Sequence, residues 1–182
     1  IGSGLRERIV VTNYGMEVAA IKVELACDAD FAGLFEVKED RVRPGRTRSV
    51  HVGPDSLQIE DHEATEWPKS TQIRPFGSPT VEPGLITWDA LLAPGESWEA
   101  CVEVTVSVAG ESIEPQFRCG GDDDAAPPTG RMQLWRARTP DLETDDDRLA
   151  LAVHRAGEDL GALRIFDPRF PDLPVIAAWA PW

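Results

Sequence analysis

The chain has 182 residues, and 18 Lys+Arg set against 32 Asp+Glu leave a net charge of −14. A surface this acidic repels phosphate backbones and anionic lipid, so nucleic acid and membrane are not expected partners, and neutral ligands such as sugars or peptides remain. Hydrophobic residues at 42% and charged residues at 27% are values of an ordinary folded chain, long enough to bury one real core.

The first two-thirds read as β. Residues 8–13 form a β-branched run closed by the turn signal Asn13-Tyr14-Gly15. Residues 18–25 follow with Ile21, Val23 and Leu25 on one face and Lys22 and Glu24 on the other. Past the Pro44-Gly45 turn come strands over 47–52, 56–60 and 85–89. Residues 61–82 carry Pro68, Pro75 and Pro79 with little alternation, which predicts an irregular loop. The longest strand spans 97–108. It places Trp98, Ala100, Val102, Val104, Val106 and Val108 on one face and Glu99, Glu103, Thr105 and Ser107 on the other. Six or so strands with Pro/Gly turns and no helices between them argue an antiparallel sandwich.

Cys27, Cys101 and Cys119 are an odd and sparse set. Cys27 and Cys101 lie in apolar stretches and read as buried thiols, with no C-x-x-C spacing for zinc. With no signal peptide in view, a cytoplasmic setting is the expectation. Residues 119–130, rich in Gly, Pro and Asp, read as a linker. Beyond it the period changes. Thr144 and Asp147 have the spacing of a capping box. Leu149, Ala152, Val153, Ala156, Leu160 and Leu163 then recur at helical spacing, predicting an amphipathic helix over about 145–163. The organisation expected is thus a sandwich over 1–118, a linker or loop over 119–130, and a final β segment, helix and connector over 131–182. Ile1 at the start and the apolar run 175–182 at the end suggest a piece of a longer protein, because termini are usually loose and polar.

Three stretches resemble a known family. Residues 28–38 (DADFAGLFEVK) are similar to the acidic-aromatic signature in the N-terminal β domain of bacterial glycogen debranching enzymes and amylo-α-1,6-glucosidase-like proteins. Residues 155–164 (RAGEDLGALR) and 175–182 (VIAAWAPW) resemble the segment leading into that family's glucosidase domain. Residues 92–98 (LAPGESW) also fit the β domain. Two positions depart from the pattern: Trp179 stands where a small residue is usual, and Lys38 where arginine is usual. The resemblance implies a downstream catalytic domain of paired helices, an α-glucan substrate for the whole protein, and a supporting, non-catalytic role for this part; the alternatives are a stand-alone carbohydrate-binding or structural sandwich, or part of a related glycosidase acting on another glucoside.

Few residues compete for chemistry. Asp28 and Asp30, with Glu36 nearby, have the types needed for glycoside hydrolysis, but Asp-x-Asp where a chain leaves a strand is more simply turn chemistry, with Phe31, Leu34 and Phe35 plugging the core. Residues 122–124 and 145–147 are Asp triplets without the oxygen-ligand spacing of a calcium loop, so no metal or other cofactor is expected. Among six tryptophans, Trp98 reads as core and Trp88 as ambiguous. Trp179 and Trp182 lie where the chain would pass toward the catalytic domain, and Trp182 is the one substrate-contact residue proposed from sequence. His51, His62 and His154 have no triad partners, so no catalytic residue is assigned within this stretch.

Overall fold

The computed structural model describes residues 4–42, 47–63, 66–167 and 170–176. Two compact units divide the chain, Gly4–Gly120 and the stretch from Gly121 onward. The first unit is the antiparallel β-sandwich. Its larger sheet runs β1 (Leu5–Thr12), β8 (Ser97–Val108), β5 (Lys69–Phe76), β4 (Leu57–Asp61) and β3 (Arg48–Val52), with β9 (Glu111–Ile113) also on β8. The smaller sheet runs β2 (Ala19–Ala26), β7 (Leu85–Leu92) and β6 (Thr80–Glu82). Every pairing is antiparallel.

Alternation decides which side chains meet between the sheets. Leu57, Ile59, Ile73, Ala100 and Val102 from the larger sheet pack with Ile86 and Trp88 from the smaller one. Trp88 is only 2% exposed, which is tolerable because its indole N–H donates to the Phe76 carbonyl at 2.9 Å. Trp98 meets it edge-to-face with centroids 6.2 Å apart, so both residues belong to the core. Asn13 ties one end of the sandwich: its amide donates to the carbonyls of Glu17 and Leu92 at 2.8 and 3.0 Å, while its Oδ1 accepts from Gly15 N–H.

The stretch read as an irregular loop contains two strands, β5 and β6. Pro75 is compatible with β5 because the ladder with β4 ends at the Leu57–Ile73 pair. Past that pair β5 has only β8 beside it, so a missing N–H costs no bond on the free side.

The thiol reading of Cys101 is also corrected: it forms a disulfide with Cys119, with Cα atoms 5.8 Å apart. Cys27 is the free cysteine, half-buried, and burial followed by the charge of Glu7 pushes its thiol up. Glu103, placed by alternation on a solvent face, is instead only 6% exposed. Both corrections have one cause. After β9, residues 114–120 return across the outer face of β8 as a strap. Glu103 accepts from the Arg118 guanidinium at 3.0 Å and from the Cys119 N–H at 2.7 Å. Arg6 lies over the Phe117 ring at 5.3 Å and donates to the Arg118 carbonyl, and Gly4 N–H donates to the Glu114 carbonyl.

The second unit holds α2 (Pro127–Arg138), α3 (Asp147–Ala162) and a hairpin of β10 (Arg164–Asp167) and β11 (Phe170–Ile176). Helix α2 begins inside the expected linker and occupies the place of the expected β segment. Pro127 and Pro128 sit in its first turn, where a missing N–H is harmless. The amphipathic helix is present as α3, but Asp146 caps it by accepting from Arg148 and Leu149 N–H, while Thr144 Oγ1 accepts from Asp146 N–H. Asp caps as well as Thr, so the start lies two residues later than the box spacing implied. The packed face differs too. Gly161 is buried, and a Cβ there would lie 2.6 Å from the Trp135 ring and 3.0 Å from Met132, so the small residues of α3 admit α2. Leu149, Val153, Leu160 and Leu163 of the apolar stripe stay exposed. No helix among the described residues is long and apolar enough to cross a membrane.

Because Glu103 holds the strap by two hydrogen bonds from a nearly water-free position, Glu103→Ala is expected to destabilise the sandwich by about 2–4 kcal/mol. The exposed Arg8–Glu99 pair contributes far less, so Glu99→Ala should leave the urea midpoint close to that of the parent.

Candidate functional site

Asp28 Oδ1 accepts from Ala29 N–H at 2.8 Å, and its Oδ2 receives the Arg48 guanidinium at 2.5 Å. Asp30 Oδ1 accepts from Ala32 N–H at 3.0 Å. Glu36 Oε2 reaches back to Gly33 N–H at 2.7 Å, closing the first turn of α1 (Leu34–Lys38). Each of the three carboxylates thus accepts a backbone N–H of its own segment, and Asp28 also pairs with Arg48. Phe31 packs against the core with φ of +53° and its carbonyl held by Lys69 Nζ at 3.1 Å. Phe35 is 60% exposed and does not plug the core, because the short helix turns it outward.

The other sequence candidates scatter. Asp122 accepts from Asp124 N–H in a turn, and Asp146 is the helix cap; among the described residues no three metal-ligating side chains converge. His51 and His62 are exposed on the sandwich, and His154 lies exposed on α3. Trp67 is 63% exposed. Trp179 and Trp182, the latter the proposed substrate contact, lie outside the described residues.

Two features were not read from sequence. The first is a groove of about 400 Å³ in the second unit, lined by Trp135, Thr139, Leu142, Ala150, His154 and Glu158 among others. Trp135 is fixed there by its N–H bond to the Gly157 carbonyl at 2.8 Å and by Arg164 stacked at 4.5 Å. Arg136 grips Glu158 through Nε and Nη2, the shortest contact being 2.5 Å. The hydrogen bond and charge of Arg136 hold the Glu158 carboxyl below the usual glutamate range.

The second is the outer face of the larger sheet. Register aligns His51, Gln58, Gln72 and Thr105 in one cross-strand row, and Ser49, Glu60, Ser70 and Ser107 in the next. All eight are exposed or half-buried. Gln58 Nε2 donates to Glu60 Oε1 at 2.7 Å, and His51 Nε2 lies 3.0 Å from Ser49 Oγ and 3.9 Å from Glu60 Oε2. The signal in sequence is polar residues at period 2 in four separate strands, visible only once the pairing is known.

Comparison with known proteins agrees with the resemblance read from sequence. The model of the family described as the N-terminal domain of (some) glycogen debranching enzymes matches residues 1–103. No curated protein and no solved structure matches the chain. The family match covers more than half of the 182 residues, and the chain belongs to that family.

Because the folded value of Glu158 lies below its unfolded one, its pair with Arg136 stabilises the helices above the ordinary glutamate range. That contribution fades as pH falls through the depressed value. A side-chain NMR titration should therefore give Glu158 a midpoint below that of an exposed glutamate, and Arg136→Gln should move it up.

Proposed function

Taking membership in the debranching-enzyme family as the premise, we propose that this chain is a non-catalytic N-terminal domain that supports hydrolysis of α-1,6 glucosidic branches by a downstream domain of the same protein. The observation that carries the reading is the family match over residues 1–103. The carboxylates of residues 28–36 support it, since each is committed to a local backbone N–H. A glycosidase of the amylo-α-1,6-glucosidase type uses one carboxyl as acid and another as base or nucleophile flanking the bond. Both belong, in this reading, to the downstream helical domain, which is the sandwich's partner. Trp182 is the position assigned to touch the α-glucan from this side.

The cytoplasmic setting expected from sequence meets one opposing fact. Disulfides persist in oxidising compartments, whereas cytosolic glutathione and thioredoxin keep thiols reduced. The Cys101–Cys119 bond therefore favours an oxidising setting, and thiol trapping in intact producing cells should label Cys27 alone. Labelling of all three cysteines would restore the cytoplasmic assignment.

The catalytic claim is tested on the full-length gene product and on the 182-residue chain side by side. The full-length protein should release glucose from a branched limit dextrin and the chain should release none. Asp30→Asn and Glu36→Gln in the full-length protein should leave kcat within about twofold. Glucose release by the purified chain, abolished by either substitution, would refute the reading.

A further inference from the structure

The two polar rows on the larger sheet carry less charge than the outer face of the smaller sheet, although the next row on their own face holds Arg74, paired with Asp55, and Glu103. Charged residues make up 27% of the chain, and the outer face of the smaller sheet follows that rule with Lys22, Glu24, Glu82 and Asp89. The rows across β3, β4, β5 and β8 hold one carboxylate, Glu60, with neutral amides and hydroxyls and one imidazole around it. Strands lie about 4.8 Å apart, so each row is roughly 15 Å long, and the two rows are roughly 7 Å from each other. A solvated face needs no such neutrality, and charges would serve solubility better.

The chemistry of these side chains matches a neutral polyol. Each Gln offers two donors and an acceptor, and each hydroxyl offers both roles. A ligand that is itself donor and acceptor along its whole length can use them all. Glu60 is the one pure acceptor. Gln58 holds one of its oxygens at 2.7 Å and His51 stands 3.9 Å from the other, so the carboxylate is oriented before any ligand arrives. Gln72, exposed at the middle of its row, spends one N–H on a 3.4 Å bond to Ser56 Oγ and keeps its remaining capacity for a ligand. The net charge of −14 repels anionic polymers and leaves uncharged ones unaffected.

We infer that the outer face of β3-β4-β5-β8 is a binding platform for a linear stretch of neutral α-glucan, with Glu60 and Gln72 at its centre. The α-glucan class rests on the debranching reading above. The rows carry no Trp, Tyr or Phe ring, so recognition depends on hydrogen bonds made in water, and the expected Kd is of the order of millimolar. A platform this weak would hold polysaccharide by repeated contact near the downstream site and would release it readily.

The test uses the 182-residue chain and maltoheptaose, followed by amide NMR. Saturable shifts should appear at residues 49–51, 58–60, 70–72 and 105–107. Glu60→Gln and Gln72→Ala should each weaken binding about three- to tenfold without changing the thermal midpoint, and Lys22→Gln on the smaller sheet should not. Shifts elsewhere only, no saturation well above the millimolar range, or indifference to both row variants would overturn the platform. Equal binding of cellohexaose would overturn its α-glucan assignment. Failure of the debranching reading is separately visible: the full-length product would then spare branched dextrin whatever the chain binds. If it debranches while the chain ignores maltoheptaose, only the platform falls.

Discussion

Burial of a carboxylate at Glu103 organises the sandwich. Removing a charged group from water costs several kcal/mol and is sustained only where partners satisfy it. Glu103 has two, the Arg118 guanidinium and the Cys119 N–H, and both come from the strap. Departure of the strap would return Glu103 to water at the loss of both of these bonds and of the Arg6–Phe117 contact. Arg118 is held in turn: desolvation pulls its pKa down, but the carboxylates of Glu103 and Glu114 outweigh this and raise it. The Cys101–Cys119 link closes a loop with a sequence separation of 18, worth about 3 kcal/mol in the chain-entropy picture. Charge pairing, a backbone bond and a covalent bond thus converge on one short segment. Their common effect is to make β8 a strand covered on both faces along the half that β1 borders.

That coverage also decides what the rest of the sheet presents. Where the strap lies, outward residues of β8 are Cys101 and Glu103, and their environment is protein. Beyond it the outward residues are Thr105 and Ser107, continuous in register with Gln72, Gln58 and His51 and with Ser70, Glu60 and Ser49. One strand thus carries a structural half and a presenting half, and the boundary falls between Glu103 and Thr105. The turn at Ala109-Gly110, with φ of +53° and +83°, returns the chain as β9 along the edge that β1 has vacated, and so sets where the strap begins.

The parts legible in sequence were those where local pattern and tertiary role coincide. The run 97–108 alternates at every position but Cys101 and pairs three neighbours, so its limits were readable. Pattern failed where tertiary context overrode it. Pro75 argued against a strand, yet it lies past the end of β4. Glu103 alternated onto a polar face, and only the return of residues 114–120 shows that this face is covered. Cys119 sat among glycines and aspartates that read as linker, with nothing local to say that Cys101 lay opposite. Helix α2 was missed because two prolines and Gly130 outweigh its few apolar residues. In α3 the periodicity was right about the element and wrong about its packed face, because Gly157 and Gly161 leave no apolar mark while admitting Trp135. The polar rows were illegible for a deeper reason: they exist only across strands, and no window of sequence contains them.

The contacts of β8 and the strap fix how far the domain extends. The family match stops at residue 103, in the middle of β8. A fold cannot end there. β5 pairs β8 from Cys101 to Val108, so cutting after Glu103 would unpair the first residues of β5 and expose the inward side of Thr71 and Ile73. It would also remove both hydrogen-bond partners of Glu103 and the disulfide partner of Cys101, and leave the outer face of β8 uncovered. The physical unit must therefore run through the strap to Gly120, where the compact division of the chain also falls. The residues past the match are the ones that make the matched strands stable.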